Sequence, residues 1–276
     1  MRNYNIRTCF WMIALSMVQF FACIRERGID PEYEEMNLDW AFVEGGVFQM
    51  GIEGSEKSPI HRVKLSSFFI GKYEVTNTQY AEFLNVYASD TVKTGEFQGE
   101  KIVYPYHWGV QKPDSLWAPV PGYEMHPVLN LPWIGAVTFC KFYGWRLPTE
   151  AEWEFAAKGG VKSQGFIFSG SDSVDEVGWT HELSGNHPHP IGLLTPNELG
   201  IYDMTGNLWE WVWDWYDVYS HEAQVNPAGP DSGKNHVFRG GSWLSSDLHS
   251  RNAYRGGSGI DYHGISHNGF RCVKDE

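Results

Sequence analysis

Thirteen tryptophans and 30 glycines in a chain of 276 residues restrict the fold more than any other feature. Large rings need surfaces to pack on, while glycines interrupt helices and strands. Together they point to a loop-rich body held by aromatic side chains, with few long helices. Disorder does not suit a chain that is 16% aromatic, and collagen-like, coiled-coil and disulfide-framework classes fail on composition. Lys and Arg number 21 against 34 Asp and Glu, a formal net charge of −13, so nucleic acid is not an expected partner. The length suits one large domain or two small ones with a substantial core.

Residues 1–22 have the layout of an export signal: Arg2 and Arg7, an apolar run from Thr8 to Phe21, then Ala22 before Cys23. The segment is too short and one-sided for a secure membrane span. A cysteine at that junction resembles a bacterial lipoprotein signal, in which Cys23 becomes the lipidated first residue, although Phe20 stands where Leu is commoner. The alternative is an ordinary signal peptide with a chance cysteine. Residues 23–39 are mostly charged and Pro-containing, and read as a tether to a domain spanning 40–276. The expectation is a membrane-anchored lipoprotein of the bacterial cell envelope, periplasmic or surface-facing.

Strand patterns come early in that domain, in FVEGGVFQMG and HRVKLSSFFIGKYEV. Thr76 and Gln79 have capping-box spacing, and Tyr80, Phe83, Leu84 and Tyr87 follow at helical intervals. A second helix is predicted from Trp133 to Tyr143, stopped by Gly144. A third begins after Thr149, with Glu152 reaching back and Gly159-Gly160 ending it. Residues 88–125 form an insertion with no clear period. Its rings, Tyr104, Tyr106, Trp108 and Trp117 among them, are of the type enriched at interfaces, and either bind a partner or fold back onto the body. The class is α+β, with two or three short helices on a loop-dominated β body.

Trp209, Trp211, Trp213 and Trp215 alternate, so a strand would put all four rings on one face and Leu208, Glu210, Val212 and Asp214 on the other. Core packing is the expected use of the rings, with a sugar-binding platform as the alternative. Asp203 and Glu210 flank the turn Met204–Asn207. Two carboxylates with backbone carbonyls between them make a calcium ligand set; two solvated acids are the other reading.

Several stretches then fall in one order: GGVFQMG (45–51), YEVTNTQYAEF (73–83), HPVLNLPWIGAVTFC (126–140), RLPTEAEWEFAAKGG (146–160), PNELGIYDMTGNLWEW (196–211), RGGSW (239–243) and NGFRCV (268–273). In these the chain resembles the formylglycine-generating enzyme, or sulfatase-modifying factor, domain family over about residues 40–274. The resemblance implies an α+β fold related to C-type lectins, with little regular secondary structure. It places one calcium ion on the Asp203 and Glu210 side chains and the carbonyls of Gly206 and Leu208. The family's second calcium site has no counterpart, because Val177-Gly178-Trp179 replaces its Asn-bearing stretch. Cys140 and Cys272 match two cysteines that are disulfide-linked in other members; two buried thiols are the alternative, and an exported protein favours the bond.

Ser245 and Ser250 stand where the family's enzymes carry the cysteine pair that binds copper(I) and activates oxygen. A serine hydroxyl stays protonated near neutrality and is a hard, poor ligand for copper(I), so no copper and no formylglycine formation are expected. Ser250 as a hydrolytic nucleophile would need a positioned base, and His249 is only its sequence neighbour. The superfamily's iron enzymes add a helical domain of spaced His and Glu, a pattern this chain lacks. His187, His189, His263 and His267 read as surface histidines.

The resulting expectation is a non-catalytic binding or scaffold lipoprotein whose partner is an envelope protein or a glycan. Similar envelope lipoproteins act in gliding and secretion machinery, which makes a protein partner the natural expectation. The alternatives are an oxidoreductase with a different metal site and a ligand-display protein using residues 243–267.

Overall fold

Thr76 closes the first helix as its spacing predicts. In the computed structural model, which describes residues 36–259 and 266–276, its hydroxyl accepts from the Gln79 amide and its own amide donates to the Gln79 side chain. Helix α1 (Asn77–Tyr87) runs to Ala88, which takes a left-handed conformation at φ 52°. Helix α2 spans Trp133–Phe142. Helix α3 (Glu150–Ala157) has a second complete capping box, from Thr149 and Glu152, and the chain then turns at Gly159 and Gly160, both at positive φ. The predicted export signal, Cys23, the predicted tether as far as residue 35, and His263 lie outside the described residues.

Residues 38–276 make up one compact unit. Helix accounts for 17% and strand for 23% of the described residues, so loops carry most of the chain. Strands β1 (Trp40–Val43), β4 (Phe68–Gly71) and β14 (Val273–Asp275) form one sheet, with both termini of the unit paired to β4. A second sheet joins β2 (Val47–Met50) to β3 (His61–Lys64), with β10 (Gln224–Val225) parallel to β3. The largest sheet centres on β9 (Trp209–Trp215). It is flanked by β11 (Asn235–Arg239), with β12 (Arg255–Gly259) beyond, and by β13 (Asn268–Gly269). Two-stranded ribbons pair β5 (Val110–Gln111) with β6 (Ala118–Pro119), and β7 (Gly178–Trp179) with β8 (Thr205–Gly206). The main core collects Val43, Val63, Phe68 and Ile70 from the first two sheets, Trp153 and Phe155 from α3, and Val212 and Val237 from the third.

The tryptophan row departs from its expected placement. Trp209 and Trp211 are buried, but Trp213 is 39% exposed and Trp215 half-buried. The opposite face carries Val212 into the main core and buries Glu210 and Asp214. The difference follows from unequal cover. Parallel β13 pairs only with Trp209 and Glu210, and the register with β11 shifts between His236 and Phe238. The row therefore runs out from the sheet centre toward solvent, where Trp133 and His236 stack against its last rings.

The insertion folds back onto the body, the second of the two uses expected of its rings, with Trp117 buried and Tyr104, Tyr106 and Trp108 half-buried. The Asn85 side chain pairs with both backbone groups of Trp117, at 2.8 and 2.9 Å, and the Trp117 ring is buried. Asn77 donates to the carbonyls of Trp108 and Tyr123, both at 2.9 Å. Trp108 meets Trp243 edge-on at 5.3 Å, and it packs with Tyr106 against Leu129, Leu208 and Trp243. Tyr104 is half-buried, its backbone bonded to Asn130. Polar side chains of α1 satisfy backbone groups that a free loop would leave to water, so the rings serve packing.

Candidate functional site

Helix α3 is buried along its whole length, which makes its three acidic residues structural. Glu150 accepts from Arg255 through both oxygens and from Arg239. Glu154 pairs with Arg239 and Lys158, both at 2.6 Å. Burial opposes the charge on Glu154, but Lys158 and Arg239 outweigh it and hold its carboxyl below the usual range. Glu152 caps the helix and takes a fork from Arg146. The RLPTEAEWE stretch thus anchors α3 to the largest sheet through charge pairs that would be costly to leave half-made.

Trp153 extends that anchor to the predicted calcium site, where its indole donates to Glu210 Oε2 at 2.8 Å. Arg271 grips the same carboxylate with two bonds of 2.7 Å and gives its remaining donors to the carbonyls of Gly71, Lys72 and Tyr202. Asp203 is held at φ 57°, accepts from the Gly192 amide at 2.7 Å, and leaves its buried Oδ1 without a hydrogen bond. Burial pushes its carboxyl from 3.8 up to about 6. Neither acid is solvated: Asp203 and Glu210 are both buried. A third acid is there as well. Glu74 accepts from the Asn207 side chain and the Leu208 amide, and burial, then Asp203 and Glu210, drive its carboxyl well above the usual range. Glu74 and Arg271 were not singled out from sequence; an arginine inside the otherwise apolar GFRCV run is the signal that could have found the pair.

Does this set suit a cation? The turn between Asp203 and Glu210 passes through two further left-handed residues, Gly206 and Asn207. A Cβ on Gly206 would collide with the Trp179 backbone, so only glycine lets the turn sit this close. Asp203 Oδ1 is open, and Glu210 Oε1 accepts a single bond among the described residues. Glu74, Asp203 and Glu210 together face one guanidinium, Arg271. An open buried carboxylate oxygen and a surplus of buried acid fit one hard cation with oxygen ligands. Among the described residues no group of three or more His, Cys, Asp or Glu side chains is placed to hold a metal.

The serine pair is closed and hydrogen-bonded. Ser245 Oγ accepts from the Ser242 amide at 3.0 Å and meets the Ser242 hydroxyl at 3.1 Å. Ser250 is fully buried, its hydroxyl directed to the Ser246 carbonyl. Gly241, at φ 75°, lies so close that a Cβ there would strike Ser250 Oγ. His249 turns to the Ser246 hydroxyl at 3.2 Å rather than to Ser250. Cys140 and Cys272 are brought together as two buried thiols with their sulfurs 3.0 Å apart. His189 stacks on Trp179 at 3.7 Å, with His187 next to it.

The family model for the Sulfatase-modifying factor enzyme 1-like domain matches residues 27–276. A serine/threonine-protein kinase Pkn1 of Chlamydia pneumoniae is 34% identical over 89% of this chain and 39% of its own length; the chain spans about 40% of the Chlamydia kinases it matches. The formylglycine-generating enzyme of Thermomonospora curvata is 31% identical over 88% of this chain and 95% of its own. A chaperone protein LppX of Paenibacillus barcinonensis is 30% identical over 75% and 79%. Among solved structures, PvdO from Pseudomonas aeruginosa shares the fold, with a TM-score of 0.70 and 21% identity over 88% of this chain and 97% of its own. The buried acids, the capped α3 and the closed RGGSW turn thus sit on a scaffold common to enzymes and differently named proteins, and the chain belongs to the formylglycine-generating enzyme-like, or FGE-sulfatase, domain family.

Proposed function

We propose that this protein is a non-catalytic binding or scaffold member of its family, exported and held in the bacterial cell envelope by a lipid on Cys23. The observation that carries the reading is the state of Ser245 and Ser250. Both are buried, Ser245 Oγ accepting from the Ser242 amide at 3.0 Å and Ser250 Oγ lying 3.4 Å from the Ser246 carbonyl, in the positions where the resemblance puts the metal-binding cysteines. Hydroxyls so engaged supply neither a copper(I) ligand nor an activated nucleophile. The basic start, the apolar run and Ala22 before Cys23 support export and lipidation.

One calcium ion belongs to this reading. Asp203 Oδ1 and Glu210 Oε1, with the carbonyls of Gly206 and Leu208, would hold it, and its charge would offset the acid surplus around Arg271. The partner is an envelope protein or a glycan. Crosslinking in intact envelopes, followed by mass spectrometry, tests the reading. A recurrent assembly around a Cys23-acylated chain is the expected result. An unacylated chain recovered only as a monomer would overturn it.

A further inference from the structure

Asp214 is a buried acid without a salt bridge among the described residues, and burial, then Glu150, push its carboxyl well above the usual range against the pull of Arg255. It lies on β9 and is only 5% exposed, with Oδ2 accepting from the Glu150 amide at 2.8 Å. No salt bridge to it forms among the described residues, and the neighbouring arginines are taken. Arg255 is bound to Glu150 and, at 2.6 Å, to the Asp217 carbonyl, while Arg239 is bound to Glu150 and Glu154. Asp214 also lines a cavity of about 350 Å³ between β9 and the segment that follows it, together with His61, Trp215, Asp217, Tyr219 and Arg255. This cavity is separate from both the calcium set and the serine pair.

Its charged lining is mostly acidic, Glu150, Asp214 and Asp217 against Arg255. His61 Nδ1 faces the Pro59 carbonyl at 3.1 Å, a contact in which the nitrogen donates. The Tyr219 hydroxyl is buried without a partner. Asp217 uses one carboxylate oxygen on the Val218 amide and makes no ion pair among the described residues. Tyr219 lines the cavity with the Arg255 guanidinium 4.0 Å from its ring, and Met50, Val218 and Pro227 add apolar wall. Gly229 comes close enough that a Cβ there would lie 2.8 Å from Asp214 Cβ, so the turn keeps a bare backbone against the acid. A volume of this size suits a small organic molecule. A buried acid lacking a counter-cation, in a wall with more acid than base, favours a donor-rich cation whose charge would hold Asp214 ionised.

We propose that this cavity binds a compact organic molecule carrying a primary ammonium group, with the ammonium on Asp214 and the carbon frame against Met50, Val218 and Pro227. Amino sugars and small amino alcohols share this chemistry. The site is independent of the scaffold reading, so either can fail without the other.

Calorimetric titration of the full-length protein with ethanolamine and glucosamine, against ethylene glycol and glucose as neutral counterparts, tests it. The amines should bind at least about tenfold more tightly than the neutral compounds. Asp214→Asn keeps an oxygen for the Glu150 amide but removes the charge, and should lose that preference. Val218→Trp alters an exposed residue at the rim and should weaken amine binding without lowering Tm; it provides the reading should the Asn variant fold poorly. Equal binding of amines and neutral compounds, no binding at about 10 mM, or undiminished amine binding by a folded Asp214→Asn or Val218→Trp protein would overturn the proposal.

Discussion

Asp203 and Glu210 lie seven positions apart and are both buried, yet their surroundings differ. Glu210 is neutralised by a two-pronged guanidinium, whereas Asp203 keeps one oxygen open. If a calcium ion fills that opening, chelation should lower Tm by several degrees in the wild type. In Asp203→Ala the shift should vanish, because the open ligand is gone. Calorimetry with and without a calcium chelator checks this, and identical melting in both conditions for the wild type would count against the ion. His236 supplies a pH-dependent residue elsewhere. It is sandwiched between Trp133 and Trp215 with ring centroids 3.6 Å away on each side, and burial lowers it from 6.5 to about 4. Folding therefore favours its neutral form. That contribution is complete above about pH 6.5 and is lost as pH falls toward 4. Tryptophan emission followed from pH 7 down to 3.5 should change near pH 4, and this step should be missing in His236→Phe. The aspartate and glutamate were legible as a pair in the sequence. Glu74 and Arg271 were not, because their roles depend on chain crossings of 133 and 61 residues to Asn207 and Glu210 that no local pattern encodes.

Helix α3 shows what local chemistry does specify. Its start, its reciprocal cap and its glycine stop are all readable, since each depends on residues within one turn. Removing the Thr149 hydroxyl with Thr149→Ala should cost about 1 kcal/mol in chemical denaturation; a change within error would mean that Arg146 and Glu152 alone fix the helix start. Strand β9 shows the limit. Period-two spacing correctly assigns its residues to two faces, but which face is core depends on the length of β13 and the irregular pairing with β11. For the insertion, aromatic composition fits an exposed interface and a packed flap equally well. The outcome rests on Asn77 and Asn85 of α1, which take up its backbone bonds.

Across the whole molecule, β14 and β1 close one sheet around β4, and Cys140 of α2 meets Cys272 just before β14. The two cysteines are 132 residues apart in sequence, so an oxidised bond would stabilise the native state by up to about 5 kcal/mol on chain-entropy grounds. Protein recovered from an oxidising compartment should therefore melt higher before treatment with a thiol reductant than after it. Equal melting would mean that the pair functions as thiols. The central claim concerns Ser245 and Ser250, which we propose stand where the family's enzymes carry metal-binding thiols. It is tested most directly by supplying the purified protein with copper(I), oxygen and a cysteine-containing peptide, then assaying bound copper and peptide aldehyde together. No stoichiometric copper and no aldehyde are expected; one equivalent of bound copper with aldehyde formed over repeated turnovers would contradict the account.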